Sequence, residues 1–330
     1  MTIDVHAHYV PEKLADALRQ RTEPPWIEQT QDGERFHMPV GHLAFSDDYV
    51  DLDKRRDFMA RHDETRQLLS FPGLFGLDSL PVDECGGLIR LFNDDLSAVC
   101  TSYPDQFSGL AALPFADMDQ AVAEYRRART ELGLMGAILP VNCLVDIERA
   151  ERLKPLFDVG QELGGHFFIH PGRRPDEVPS GPHQIKPRRF ADNMAARQAL
   201  AVQDRVSAAM VTLLFTDFLD AYPNISVHVA NLGGTLPMVI ERMDHVTLTR
   251  TPDQPLPSER AKKIHVDCSS LGPHSLEIAV DLYGADKVLF GTDCPIFSTQ
   301  WSLDAVNNAD LSDAQRRMIL TKNAEKLLGG

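Results

Sequence analysis

Apolar positions along the chain gather in short runs separated by longer stretches with helical spacing. Strand-length runs fall at 1–8, 65–71, 107–113, 135–141, 165–170, 225–231, 263–268 and 287–292. Amphipathic stretches follow most of them, at 81–103, 117–132, 147–163, 193–221, from Gly233 and Gly234 to about His245, 273–283 and 311–328. Asp117 is a plausible N-cap and Gly133 a plausible stop for the second of these helices. The segment 12–63 breaks the rhythm. It is polar, carries Pro24, Pro25, Pro39 and Gly41, and reads as an inserted cap after the first strand, with a small hairpin near 35–40 and a helix bearing Arg55, Arg56 and Arg61. Loops rich in proline occupy 171–189 and 251–257.

Eight strands, nearly all followed by a helix, imply parallel strands joined by right-handed crossovers. Eight such units close most naturally into a (β/α)8 TIM barrel, here one domain spanning 1–330. A doubly wound open sheet is the alternative. No Gly-x-Gly-x-x-Gly follows any strand, so nothing points to a dinucleotide.

Composition narrows the partners. Hydrophobic residues make up 43% of the 330, enough for a sizeable core, and the net charge of −15 argues against nucleic acid or an anionic membrane. It leaves room for a small anionic substrate in a local basic pocket. Cys85, Cys100, Cys143, Cys268 and Cys294 are scattered and odd in number, which reads as reduced thiols in the cytoplasm. No signal peptide or spanning helix is expected.

In a barrel the C-terminal ends of all strands meet on one face. His6 and His8 lie two apart at the end of the first strand and so point the same way. His170 ends the fifth strand and Asp293 the eighth. Singly, each has a plain structural reading: hydrogen-bonded or exposed histidines, a strand end before Pro171, a turn before Cys294-Pro295. Jointly, three imidazoles and a carboxylate at the same end of distant strands suit one divalent ion, Zn²⁺ first and Mn²⁺ second.

The stretches Asp4-Val-His-Ala-His8, Phe168-Ile-His-Pro171, Gly233-Gly-Thr-Leu-Pro237 and Phe290-Gly-Thr-Asp-Cys-Pro295 resemble the amidohydrolase superfamily, in its branch related to aminocarboxymuconate-semialdehyde decarboxylase. The resemblance covers nearly the whole chain. It implies a metal-bearing barrel with His6, His8, His170 and Asp293 as ligands. It also implies decarboxylation, hydration or hydrolysis of a small carboxylated or cyclic compound. Arg242 corresponds to an arginine that reaches the substrate carboxylate of a neighbouring subunit, which implies a homodimer, and Arg55 lies where another carboxylate-binding arginine is placed. A guanidinium offers a carboxylate a bidentate fork.

One position departs from the branch. Its members carry histidine directly before the Gly-rich turn, where this chain has Asn231, with His228 three residues earlier. Asparagine exchanges hydrogen bonds but takes no proton near neutral pH. On a regular strand an offset of three reverses facing, so His228 points away if Asn231 points inward; a bulge would restore it. His166 is expected at the strand's start, away from the site. Arg173, Arg174, Lys186, Arg188 and Arg189 make the loop after the fifth strand locally basic, either as a solvated face or to steer an anion.

The favoured function is a metal-dependent lyase that decarboxylates a small, aromatic-derived acid, with Asp293, Asn231 and His228 as candidate catalytic groups and Arg242 and Arg55 as substrate-binding groups. A hydrolase or hydratase acting on a lactone or similar ring is the alternative, and a non-catalytic barrel that binds a small acid is the rival of another class.

Overall fold

A computed structural model describes residues 1–39, 41–177, 194–269 and 271–329. Its strands are β1 (Thr2–His8), β2 (Trp26–Thr30), β3 (Gly33–His37), β4 (His42–Phe45), β5 (Glu64–Ser70), β6 (Phe107–Ala111), β7 (Gly136–Pro140), β8 (Gly165–His170), β9 (Ile225–Val229), β10 (His265–Asp267) and β11 (Val288–Leu289). Eight of them form a parallel sheet in the order β1-β5-β6-β7-β8-β9-β10-β11. The ring is joined by backbone bonds between β1 and the chain that follows β11. Val5 N–H donates to Phe290 O (3.0 Å), Asp293 N–H to His6 O (2.7 Å) and His8 N–H to Cys294 O (2.7 Å). The architecture is the expected (β/α)8 barrel.

Side chains fill the inside of the ring. Ile3, Val5, Leu68, Leu110, Ile138, Phe168, Ala230 and Leu289 form one buried cluster, joined by Ala324 and Leu328 from the C-terminal helix. A larger apolar layer packs between sheet and helices. Removing that apolar surface from water, at roughly 25 cal/mol per Å², is the main force holding the barrel together.

β1 departs from regular geometry in a way that matters. Ile3 and Val5 lie in the inner cluster, so simple alternation would turn His6 and His8 outward. The pairing with β5 slips between Asp4 and Ala7, where three steps on β1 oppose two on β5. This bulge lets Val5 and His6 share the inner face. Asp4 supports it: Oδ1 accepts the His6 N–H (2.9 Å), and Oδ2 accepts the Thr292 hydroxyl (2.6 Å).

Between β1 and β5 stand a helix (Glu12–Arg19) and an antiparallel sheet of β2, β3 and β4, broader than a single hairpin. Phe36 of that sheet packs on Phe75, centroids 4.0 Å apart. The helix Leu52–Arg61 lies against β5.

Most barrel helices fall where the spacing places them, and Asp117 caps Met118–Thr130 by accepting from Gln120 N. The stretch 147–163 is two helices, Ile147–Glu151 and Lys154–Leu163, because Pro155 supplies no N–H to an unbroken helix. Thr299–Asn308 is a helix that the polar sequence did not signal. Among the described residues, no helix is long and apolar enough to cross a membrane.

Gly291 marks a tight approach at the site end of the barrel. A Cβ there would stand 2.8 Å from His6 Cβ and 2.9 Å from Asp267 Cβ. Overpacking of this kind costs about 1–3 kcal/mol. Gly291→Ala should therefore lower the calorimetric midpoint by a few degrees, and an unchanged midpoint would contradict this packing.

Candidate metal centre

Four side chains converge at the C-terminal end of the ring. His6 and His8 come from the end of β1, His170 from the end of β8, and Asp293 from just after β11; all are buried. One donor atom from each lies within 4.8 Å of the others. Asp293 Oδ1 stands 3.0 Å from His8 Nε2 and 3.4 Å from His6 Nε2. Asp293 is held in the left-handed region (φ 61°), which turns its carboxylate back over β1.

The far nitrogen of each imidazole is engaged. His6 Nδ1 lies 3.0 Å from Asp267 Oδ2, His8 Nδ1 3.2 Å from Ser70 Oγ, and His170 Nδ1 2.8 Å from Pro171 O. A carboxylate and a carbonyl only accept, so His6 and His170 carry a proton on Nδ1 and turn Nε2 inward as the nitrogen open to a ligand. His6 Nε2, His8 Nε2, His170 Nε2 and Asp293 Oδ1 are all buried without a hydrogen-bond partner. Buried polar atoms left unpaired are costly and rare, and four at one point require an explanation.

A divalent cation supplies it. Ligands bound at ~2.0–2.2 Å to one ion stand at most ~4.4 Å apart, so the widest pair closes by a fraction of an ångström. Three imidazoles and one carboxylate are a borderline donor set suited to such an ion.

Profile comparison agrees with this geometry: the amidohydrolase family profile Amidohydro_2 matches residues 3–330. The chain belongs to the amidohydrolase family.

Its relatives include a 2-amino-3-carboxymuconate-6-semialdehyde decarboxylase of Dictyostelium discoideum, 28% identical over 306 residues, covering 89% of this chain and 82% of that one. A gamma-resorcylate decarboxylase of Rhodococcus jostii (strain RHA1) is 27% identical over 295 residues, covering 83% and 86%. Among solved structures, Metarhizium anisopliae IDCase in apo form superposes with a TM-score of 0.81 at 20% identity, over 100% of this chain and 97% of that one. The dihydroxybenzoic acid decarboxylase of Polaromonas sp. JS666, solved with bound manganese and the inhibitor 2-nitroresorcinol, gives 0.70 at 20% identity, over 99% and 96%. These superpositions support the barrel fold.

Other candidates from the amidohydrolase pattern lie elsewhere than expected. His228 does not point away. It faces the barrel interior, stacked on Phe168 (centroids 3.9 Å, planes 11° apart), with Nε2 3.5 Å from Asp267 Oδ2. The offset rule fails because β9 ends at Val229 and Asn231 sits beyond it in a left-handed turn (φ 58°). Asn231 Oδ1 accepts the Ser269 hydroxyl at 2.8 Å. His166 is tied into the same interior, its Nε2 2.5 Å from His228 Nδ1.

Arg55 is buried and committed to the protein. It donates to His8 O (2.6 Å), Asp48 O (3.0 Å) and Gln67 Oε1 (3.0 Å), bracing the end of β1 where a substrate fork was expected. With Lys54, Phe58, Arg61 and Cys294 it also lines a cavity of about 440 Å³. Arg242 is exposed on the helix Leu236–Arg250. Arg174 pairs with Asp176 (2.8 Å), so it is not presented to an anion, and Arg173 is also engaged. Lys186, Arg188 and Arg189 lie outside the described residues.

Among the protein groups alone, burial disfavours a charged His6, but the Asp267 and Asp293 carboxylates outweigh it and raise the imidazolium to about 10. Burial lowers His8 and His170, leaving both neutral. Burial pushes Asp293 up, yet the neighbouring His6, and after it His8, hold it below the usual carboxylate range. Cation binding at neutral pH must therefore displace the His6 proton. Titration calorimetry in buffers of different ionisation enthalpy should register release of about one proton per ion, with affinity weakening as pH falls; zero release would contradict this charge balance.

Proposed function

We propose that the protein is a divalent-metal-dependent decarboxylase of a small aromatic or aromatic-derived carboxylic acid. The observation that carries the reading is the set of four buried, unpartnered donor atoms on His6, His8, His170 and Asp293. Relatives that are decarboxylases of carboxylated aromatic or muconate compounds support the reaction class. Zn²⁺ suits three imidazoles and a carboxylate, with Mn²⁺ the alternative. When bound, the ion supplies Lewis acidity that holds and polarises an anionic substrate oxygen.

The protein's own residues do the rest. Decarboxylation requires a proton at the carbon that bears the carboxylate. As that C–H bond forms and the C–CO2 bond breaks, the bond's electron pair returns to the ring and CO2 departs. Asp293 Oδ2 is the proposed carrier of the proton, taken up from solvent before each turnover. A carboxyl held below its usual range is rarely protonated but is a strong acid when it is, as protonation of a ring carbon demands. Asn231 would hydrogen-bond the substrate. Hydrolysis or hydration needs a base to take a proton from water. Asn231 cannot act as one, which would leave that role to Asp293 as well; it is the decarboxylase relatives that favour decarboxylation over the lactonase reading.

Arg242 would grip the substrate carboxylate across a homodimer. Met238 and Leu248, 69% and 56% exposed on the same helix, offer apolar surface for such a contact. All five cysteines are free, which suits the reducing cytoplasm.

A panel of hydroxybenzoates and enol carboxylates in D2O tests the reading. The expected outcome is CO2 release with one deuterium at the vacated carbon, abolished in His8→Ala together with stoichiometric metal. Lactone turnover without CO2 would overturn it.

A further inference from the structure

We propose that Asp267 is a positioning residue that sets two groups at once: the tautomer of His6 and the turn that carries Asn231. The proposal rests on the metal reading above. Asp267 ends β10, is fully buried, and was not singled out by its sequence context. Its two oxygens face different structures. Oδ2 lies 3.0 Å from His6 Nδ1. Oδ1 accepts two backbone N–H groups, from Asn231 (3.2 Å) and Ser269 (3.0 Å). Ser269 then donates its hydroxyl to Asn231 Oδ1, fixing which end of that amide is committed to the protein. One carboxylate therefore joins a candidate ligand to a candidate substrate-facing amide on a neighbouring strand end.

A third contact stops the carboxylate from turning. His228 Nε2 stands 3.5 Å from Oδ2, and its ring is stacked on Phe168 and joined edge to edge with His166. A carboxylate only accepts, so His228 directs an Nε2–H at Asp267; its Nδ1 lies 2.5 Å from His166 Nε2, and His166 Nδ1 lies 2.8 Å from Ser226 Oγ. Oδ2 therefore faces two imidazoles, bonded to His6 Nδ1 and 3.5 Å from His228 Nε2, which holds a proton on His6 Nδ1 and leaves Nε2 as the nitrogen for an ion.

Two substitutions separate the roles. In Asp267→Asn the amide oxygen can still accept the two backbone N–H groups, but the amide NH2 then meets His6 Nδ1. That reverses the tautomer and puts a proton on the ligating nitrogen. Zn²⁺ affinity, measured by chelator competition, should fall by about tenfold or more. Proton–nitrogen correlation spectra of ¹⁵N-histidine-labelled protein should show one ring losing its Nδ1–H while keeping Nε2–H. Asp267→Ala removes both acceptors, so Zn²⁺ should weaken and the Asn231 and Ser269 amides should also exchange faster with solvent.

Zn²⁺ binding in Asp267→Asn within twofold of wild type, or unchanged exchange of those two amides in Asp267→Ala, would overturn the proposal. Should neither variant fold, His228→Gln takes their place: a severalfold loss of Zn²⁺ affinity is expected, and unchanged affinity overturns the proposal. Wild-type protein and His8→Ala are run alongside. Absence of stoichiometric Zn²⁺ in wild type would defeat the metal reading itself, whereas Zn²⁺ bound by wild type and lost in His8→Ala leaves only the role of Asp267 in question.

Discussion

Three backbone hydrogen bonds between β1 and residues 290–294 join the two ends of the polypeptide, and the site exists because of them. Asp293 donates its N–H to the carbonyl of His6, so one candidate ligand is hung on the backbone of another. The left-handed turn at Asp293 and the bulge in β1 then aim carboxylate and imidazoles at the same point. Arg55 braces the carbonyl of His8 from the other side. His6, His8 and His170 are seated on strands, and Asp293 one turn beyond its strand is held by one of them. Groups carried this way are placed more sharply than groups on free loops.

The same arrangement accounts for the electrostatics. Asp267 and Asp293 bring two carboxylates into a buried space whose imidazoles are engaged at Nδ1 and unpartnered at Nε2. Burying charge without compensation is expensive, and a divalent cation compensates both carboxylates together. Asn231 marks where the site departs from its branch of amidohydrolases. In the proposed reaction an amide locked to Ser269 would orient a substrate but move no proton, which would leave proton transfer to Asp293.

Much of this was legible in the chain. The strand–helix rhythm indicated the barrel, and strand ends indicated His6, His8, His170 and Asp293. A shared face for His6 and His8 follows from their spacing, whereas the bulge in β1 does not. Period-two spacing keeps the pair together but cannot say that Val5 joins them inside. His228 was misplaced because the offset from Asn231 was counted across a strand that had already ended. Arg55 was read by analogy as a substrate fork, and only its burial shows where its N–H groups go. The available signal for Asp267 is a carboxylate between Val266 and Cys268 at the end of a strand, where the other site residues also stand. Side-chain partners depend on which strands are neighbours, and pattern alone does not carry that.

The most direct test is anomalous diffraction from crystals grown with Zn²⁺ and measured on both sides of its absorption edge. The account predicts one strong peak, within ~2.0–2.2 Å of Nε2 of His6, His8 and His170 and of Asp293 Oδ1. A peak seated on other side chains, or one that excludes Asp293 while including the β1 histidines, would contradict it.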